Sequence, residues 1–207
     1  MINVLICCNA EQKEILINKE IENKAIVKWV NNISTANVNT VDAIFHLLPL
    51  SNTSLPEMLA TIPVFVNEMA TTCESLPGNY IRINAWPGFL EKNILEVASG
   101  ISIRKKGEDV LNALDWQFTW TPDEPGMISG RIISMIINEA FYALQEHVST
   151  RMEIDTAMKL GTNYPYGPFE WSEKIGIKEI YRVLNELAKK DKRYTIAEAL
   201  YNEALII

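Results

Sequence analysis

The sequence predicts an α/β domain over residues 1–122 followed by an all-α domain over residues 123–207. Three observations carry this. Ile2 to Cys8 is an unbroken apolar run, suited to a strand buried on both faces. From Met127 to Gln145, Ile133, Ile136, Ile137, Ala140 and Leu144 recur at helical spacing. Between them lies TPDEPG, the strongest break in the chain.

The elements follow in order. Asn9 with Gln12 predicts a capping box for a short helix through Leu16 and Ile17. Strands are expected at Ala25 to Val30, Val41 to Leu48, Ile62 to Val66, Tyr80 to Ile83 and Ile94 to Ala98. Ser54-Leu55-Pro56-Glu57 suits a first helical turn. Gly107 to Trp116 predicts a helix with Val110, Leu111 and Leu114 on its apolar side, and Arg104-Lys105-Lys106 ahead of it suits a solvated turn. QFTW then leads to the boundary.

In the second domain, Thr150 and Glu153 predict a capping box, and Ile177, Ile180, Leu184 and Leu187 mark the buried face of another helix. Thr195 and Glu198 predict a further box for the last helix. GTNYPYGPFEWSEKIG, from Gly161 to Gly176, is expected to be a rigid connection between helices. Gly161 would end the preceding helix, prolines would fix the chain direction, and Tyr164, Tyr166, Phe169 and Trp171 would pack it on the long helix.

Composition narrows the function. A hydrophobic fraction of 48% with 22% charged residues describes a folded globular protein. A net charge of -7 without a basic patch argues against nucleic-acid binding. Cys7, Cys8 and Cys73 are an odd set that fits reduced thiols, not a disulfide framework or zinc site. The two histidines, His46 and His147, stand in no ligand motif; His46 is expected to pack in its strand. MINVLICC lacks a basic leader region, and no apolar run has membrane-spanning length, so a cytoplasmic, membrane-free protein is expected.

Asn138-Glu139-Ala140, Asp155, Ala157-Met158, Gly161, Pro165, Gly167-Pro168-Phe169-Glu170 and Ile175-Gly176 form an ordered series. That series resembles the C-terminal domain of the 3-hydroxyacyl-CoA dehydrogenase family, which includes the 3-hydroxybutyryl-CoA dehydrogenases. The resemblance implies a Rossmann-like α/β domain that binds NAD, then an all-α domain of the 6-phosphogluconate/3-hydroxyacyl-CoA dehydrogenase C-terminal type. The helical domain would serve substrate contact and homodimer formation.

Against that family pattern, three residue-level departures stand out. A glycine-rich turn should follow the first strand so that backbone and helix amides reach a pyrophosphate. Here CCNAEQKE follows it, and the first glycine is Gly78. The family's catalytic histidine lies twelve residues before a glutamate. YIRINAWPGFLEKNILEVASG resembles that segment, and counting back twelve from Glu96 reaches Asn84, whose amide does not titrate as a general base. In Gly126-Met127-Ile128-Ser129-Gly130-Arg131, Gly130 stands where the family's G-F-x-x-N-R motif has asparagine. Ser51-Asn52-Thr53-Ser54 spells a family run but is set for a loop and cap; Asn67 is its positional counterpart.

The candidate catalytic residues are therefore Glu96 and Asn84, the latter replacing the histidine. The candidate substrate contacts are Asn67, Trp86, Gly130 and Arg131. No cofactor or metal is expected. The expected function is a dehydrogenase-like protein that has lost NAD binding and its base but keeps a dimeric scaffold. It would retain a crevice for an acyl-CoA or small acidic ligand, lined by Asn84, Trp86 and Glu96. The alternative is an active NAD- or NADP-dependent oxidoreductase of the family type. A purely structural homodimer would have no such crevice.

Overall fold

The computed structural model describes residues 1–33, 40–50 and 61–206. The Ser51–Ser54 run and the helix expected at Pro56 lie outside the described residues. The chain forms two compact units: Met1–Glu68 with Thr72–Asp123, and Met69–Thr71 with Glu124–Ile207.

The first unit holds a seven-stranded sheet. In chain order the strands are β1 (Ile2–Cys7), β2 (Ala25–Val30), β3 (Ala43–His46), β4 (Val64–Val66), β5 (Tyr80–Ile83), β6 (Ile94–Ser99) and β7 (Gln117–Trp120). Their spatial order is β2-β1-β3-β4-β5-β6-β7. All pairs are parallel except β5 with β6. β1 lies inside the sheet, and its residues Val4 to Cys7 are buried on both faces, as its unbroken apolar run requires. One face carries Val4, Ile6, Phe45, Phe65 and Ile81; the other carries Leu5, Cys7, Ile44 and Val64. Phe45 and Phe65 stack at 4.5 Å across β3 and β4. Burying such a ring contributes about 1.5–3 kcal/mol.

Helix α1 (Ala10–Asn18) follows β1, and a single turn, α2 (Ile21–Lys24), precedes β2. α3 (Ile101–Ala113) starts six residues before the expected Gly107 and absorbs the basic cluster. Those cations have specific places: Arg104 lies over Trp120 at 4.3 Å, Lys105 pairs with Asp109, and Lys106 donates to the Thr61 carbonyl. Gly107 lets the helix press onto β5, since a Cβ there would stand 2.4 Å from Ile81 Cδ1. QFTW is a strand, β7, parallel to β6.

The second unit is helical: α4 (Ser129–Gln145), α5 (Arg151–Thr162), α6 (Pro168–Ile175), α7 (Ile177–Ala188) and α8 (Glu198–Ile206). α4 is its central element, touching α6, α7 and α8. The Thr150–Glu153 capping box opens α5 as expected. Two expectations fail here. α5 passes Gly161 and ends at Asn163, which takes φ 55°, and half of the supposed connection is helix α6, with Pro168 in its first turn. Nor does Thr195 cap α8: its hydroxyl donates to the Lys192 carbonyl. The N–H groups around the start of α8 go instead to α4 side chains, that of Ala197, just before the helix, to Asn138 Oδ1 at 2.9 Å and that of Ala199 to Gln145 Oε1 at 3.2 Å. Asn138 Nδ2 also donates to the Thr195 carbonyl at 2.9 Å.

No described helix is long and apolar enough to cross a membrane. Among the described residues, no group of three or more His, Cys, Asp or Glu could hold a metal ion.

Candidate functional site

The strand order reverses between β1 and β3, so the carboxyl ends of the parallel strands open there into the usual ligand position of such sheets. Amide side chains occupy that edge. Asn9 Oδ1 accepts the Gln12 N–H at 2.8 Å, and Gln12 Oε1 accepts the Asn9 N–H at 3.1 Å. Buried Gln12 extends further, its Nε2 donating to the carbonyls of Leu47 at 3.0 Å and Ala85 at 3.3 Å. Asn67 reaches the same two residues, with Nδ2 on the Leu47 carbonyl at 3.3 Å and Oδ1 accepting the Ala85 N–H at 3.1 Å. Gln12 and Asn67 thus staple the ends of β3, β4 and β5 to the start of α1.

Asn84 follows β5 directly and is 2% exposed. Its N–H donates to the Glu96 carbonyl at 3.2 Å, and its Oδ1 accepts the Trp86 N–H at 3.2 Å. The main chain of Asn84 thus pairs with that of Glu96 beside the β5–β6 ladder, and the Trp86 N–H is held by the Asn84 side chain. Asn67 reaches this group through Ala85. Trp86 is buried and Glu96 half-buried. Gly130 and Arg131 belong to the helical unit. Gly130 is buried in the first turn of α4, where its carbonyl accepts from Ser134 Oγ at 2.7 Å. Arg131 donates through Nε and Nη2 to the Tyr194 hydroxyl and lies over that ring at 4.8 Å.

The ordinary titratable candidates near this edge are muted. Burial pushes the thiols of Cys8 and Cys73 up to about 11 and about 12, so neither is a ready nucleophile. His46 ends β3 opposite Cys7, and its buried Nδ1 makes no hydrogen bond among the described residues. Burial lowers its pKa from the ordinary 6.5. Unfolding therefore takes up a proton as pH drops past about 6.5, and stability present above that pH is lost below it. His46→Leu is expected to flatten the fall in unfolding free energy between pH 6.5 and 5. Denaturant titrations across that range would decide it, and equal slopes for both proteins would refute it.

Sequence reasoning misses the strongest charge in the unit. Arg82, fully buried in β5, donates Nε to the Glu68 carbonyl at 2.9 Å and Nη1 to Asp123 at 2.7 Å. Asp123 also accepts the Cys73 N–H, at 2.8 and 3.1 Å to its two oxygens. The available signal is an arginine inside the otherwise apolar strand YIRI.

The helical motif residues prove structural. Asp155 on α5 accepts the N–H of Phe169 at 2.8 Å and of Glu170 at 3.3 Å, capping α6 from a neighbouring helix. Glu170 returns to the Gly167 N–H at 2.9 Å and also pairs with Lys159. Phe169 packs edge-on against Phe141 of α4 at 5.0 Å.

Residues 126–205 match the family model described as 3-hydroxyacyl-CoA dehydrogenase, C-terminal domain. By that match the helical domain belongs with the 3-hydroxyacyl-CoA dehydrogenase family. A 3-hydroxyadipyl-CoA dehydrogenase of Escherichia coli K12 is 40% identical over 106 residues, covering 50% of this chain and 21% of that protein. A 3-hydroxybutyryl-CoA dehydrogenase of Clostridioides difficile is 33% identical over 141 residues, covering 65% of this chain and 50% of that one. The chain thus matches from a fifth to a half of the length of these family members.

The crystal structure of a 3-hydroxybutyryl-CoA dehydrogenase from Escherichia coli K12 matches with TM-score 0.60 and 31% identity, over 69% of this chain and 31% of that one. The (S)-3-hydroxybutyryl-CoA dehydrogenase of Ralstonia eutropha shares the fold, with TM-score 0.66 and 17% identity over 97% of this chain and 84% of the other. The fold is that of the family: a mostly parallel sheet with helices, and a helical C-terminal domain.

Proposed function

We propose that this protein is a family member without dehydrogenase chemistry, a homodimeric cytoplasmic scaffold that binds an acyl-CoA or small acidic ligand without NAD. The closed start of α1 carries this reading. A bound pyrophosphate needs bare backbone and free helix amides at that point. Here the Asn9 and Gln12 N–H groups already have side-chain acceptors, and the Gln12 amide is bonded across to Leu47 and Ala85. Glu11, in the first turn of the helix, adds negative charge. These residues do not fit the group. The base is replaced as well: the Asn84 amide cannot take a proton near neutral pH, and its oxygen already accepts from Trp86.

The chain's own residues then support binding rather than turnover. Glu96 sits beside Asn84 through the β5–β6 pairing, and this is the one observation that favours the alternative, an active oxidoreductase with a water held by the two side chains. Calorimetric titration with NADH is expected to give no saturable binding in the micromolar range. An assay with 3-hydroxybutyryl-CoA and NAD is expected to give no turnover above background. NAD-dependent oxidation that Glu96→Gln abolishes would reverse the proposal in favour of the active enzyme.

A further inference from the structure

Two guanidiniums meet at a single phenol oxygen in the helical unit. Tyr194, 1% exposed, ends the turn that follows α7. Arg131 and Arg193 lie over its ring, at 4.8 and 4.6 Å from the centroid, and both donate to its hydroxyl. Sharing one oxygen crowds two positive charges together, and a neutral phenol cancels neither. Among the described residues no carboxylate pairs with Arg131, and the one beside Arg193, Asp191, stands off at 3.8 Å. An anion in front of the pair would relieve the repulsion and accept the guanidinium N–H groups that the hydroxyl leaves unused.

The same residues border a groove of about 540 Å³, within the range of small-molecule sites. Its wall along α4 is apolar, formed by Ile132, Met135 and Ile136, and Ile132 keeps 54% of its surface in water. An unbranched hydrocarbon tail laid there would take this row out of water, with the flexible Met135 adapting to it. Glu139 also borders the groove, eight residues from Arg131 or about 12 Å along the helix. Its carboxylate disfavours a second negative charge at that point, so a matching ligand is anionic at one end only.

We infer that this groove binds a fatty carboxylate, its head on Arg131 and Arg193 and its tail along α4 toward Glu139. The site lies wholly within the helical unit. It goes beyond the ligand proposed above and uses none of the residues around Asn84.

Calorimetric titration of the full chain with dodecanoate tests the site, beside acetate and dodecyltrimethylammonium. Dodecanoate is expected to bind saturably at one site per chain. Acetate carries the head without the tail and the ammonium carries the tail with the wrong charge, so neither is expected to bind at the same concentrations. Arg193→Gln and Ile132→Glu, both at exposed positions, are each expected to weaken dodecanoate roughly tenfold. Lys192→Gln removes a neighbouring exposed cation outside the groove and is expected to leave the affinity unchanged. Absence of saturable dodecanoate binding overturns the site. So does equal binding of the ammonium amphiphile, or a loss in Lys192→Gln as large as that in Arg193→Gln. Sedimentation velocity on the same samples reports the other occupant: a dimer that Ile132→Glu dissociates and that takes up no dodecanoate gives the groove to a second copy and also overturns the site. None of these results bears on the NADH titration, so the two readings fail separately.

Discussion

Asp123→Ala is expected to destabilise the α/β unit by about 3–5 kcal/mol, more than Arg82→Met does. The asymmetry follows from burial. The Arg82 side chain is fully inside, whereas that of Asp123 keeps 31% of its surface in water. Removing the carboxylate leaves the guanidinium in the interior without the acceptor at 2.7 Å, and it also orphans the Cys73 N–H. Removing the arginine in favour of an apolar chain of similar length takes the buried charge away with it. Asp123 then remains partly solvated and still bound to Cys73. The double variant Arg82→Met/Asp123→Leu is expected to recover much of the Asp123→Ala loss, as buried pairs replaced together often do. Urea unfolding followed by circular dichroism measures all three. If Arg82→Met costs as much as Asp123→Ala, burial of the cation is not the controlling effect.

Gly167→Ala is expected to cost about 2–4 kcal/mol in the helical unit, an overpacking penalty joined to a lost cap. A Cβ at this position would stand 2.3–2.4 Å from the Asp155 carboxylate. That carboxylate is 8% exposed at its residue and is held against the first amides of α6, so it cannot swing away without uncapping the helix. A double-mutant cycle separates the parts. Asp155→Ala alone should cost about 2 kcal/mol, through two N–H groups that lose a charged acceptor. Alanine at 155 keeps its Cβ, 2.4 Å from the added methyl, so in that background Gly167→Ala should cost less than in the wild type but still destabilise, whereas Asp155→Gly should make it nearly neutral. Strict additivity of the two losses would show that the contact is not shared.

This contact also explains why the GPFE stretch reads as a family signature: glycine, aspartate and glutamate are three parts of one helix start.

Local signals were legible where the partner lies within a turn. The Asn9–Gln12 and Thr150–Glu153 boxes, the buried β1 and the limits of β2 and β5 could all be taken from neighbouring residues. Elements whose start depends on distant chain were not. α3 opens at Gly100 without a side-chain cap, so its first turn carries no marker. α6 announced itself by Pro168 after Gly167, but two glycines and a second proline nearby imitated a loop. The main-chain pairing of Asn84 with Glu96 follows from the antiparallel pairing of β5 with β6, two neighbouring strands in sequence. The reach of Gln12 to Ala85, 73 residues away, and of Arg82 to Asp123, 41 residues away, left no local trace beyond a polar residue in an apolar setting.

The loan of Asn138 and Gln145 to the start of α8 ties the stability of the last helix to that of α4. The amides there have these acceptors only while α4 is formed and docked. Local opening of α8 is thereby subordinate to α4: the final residues of the chain lean on a helix some fifty residues earlier, and they come undone when it does.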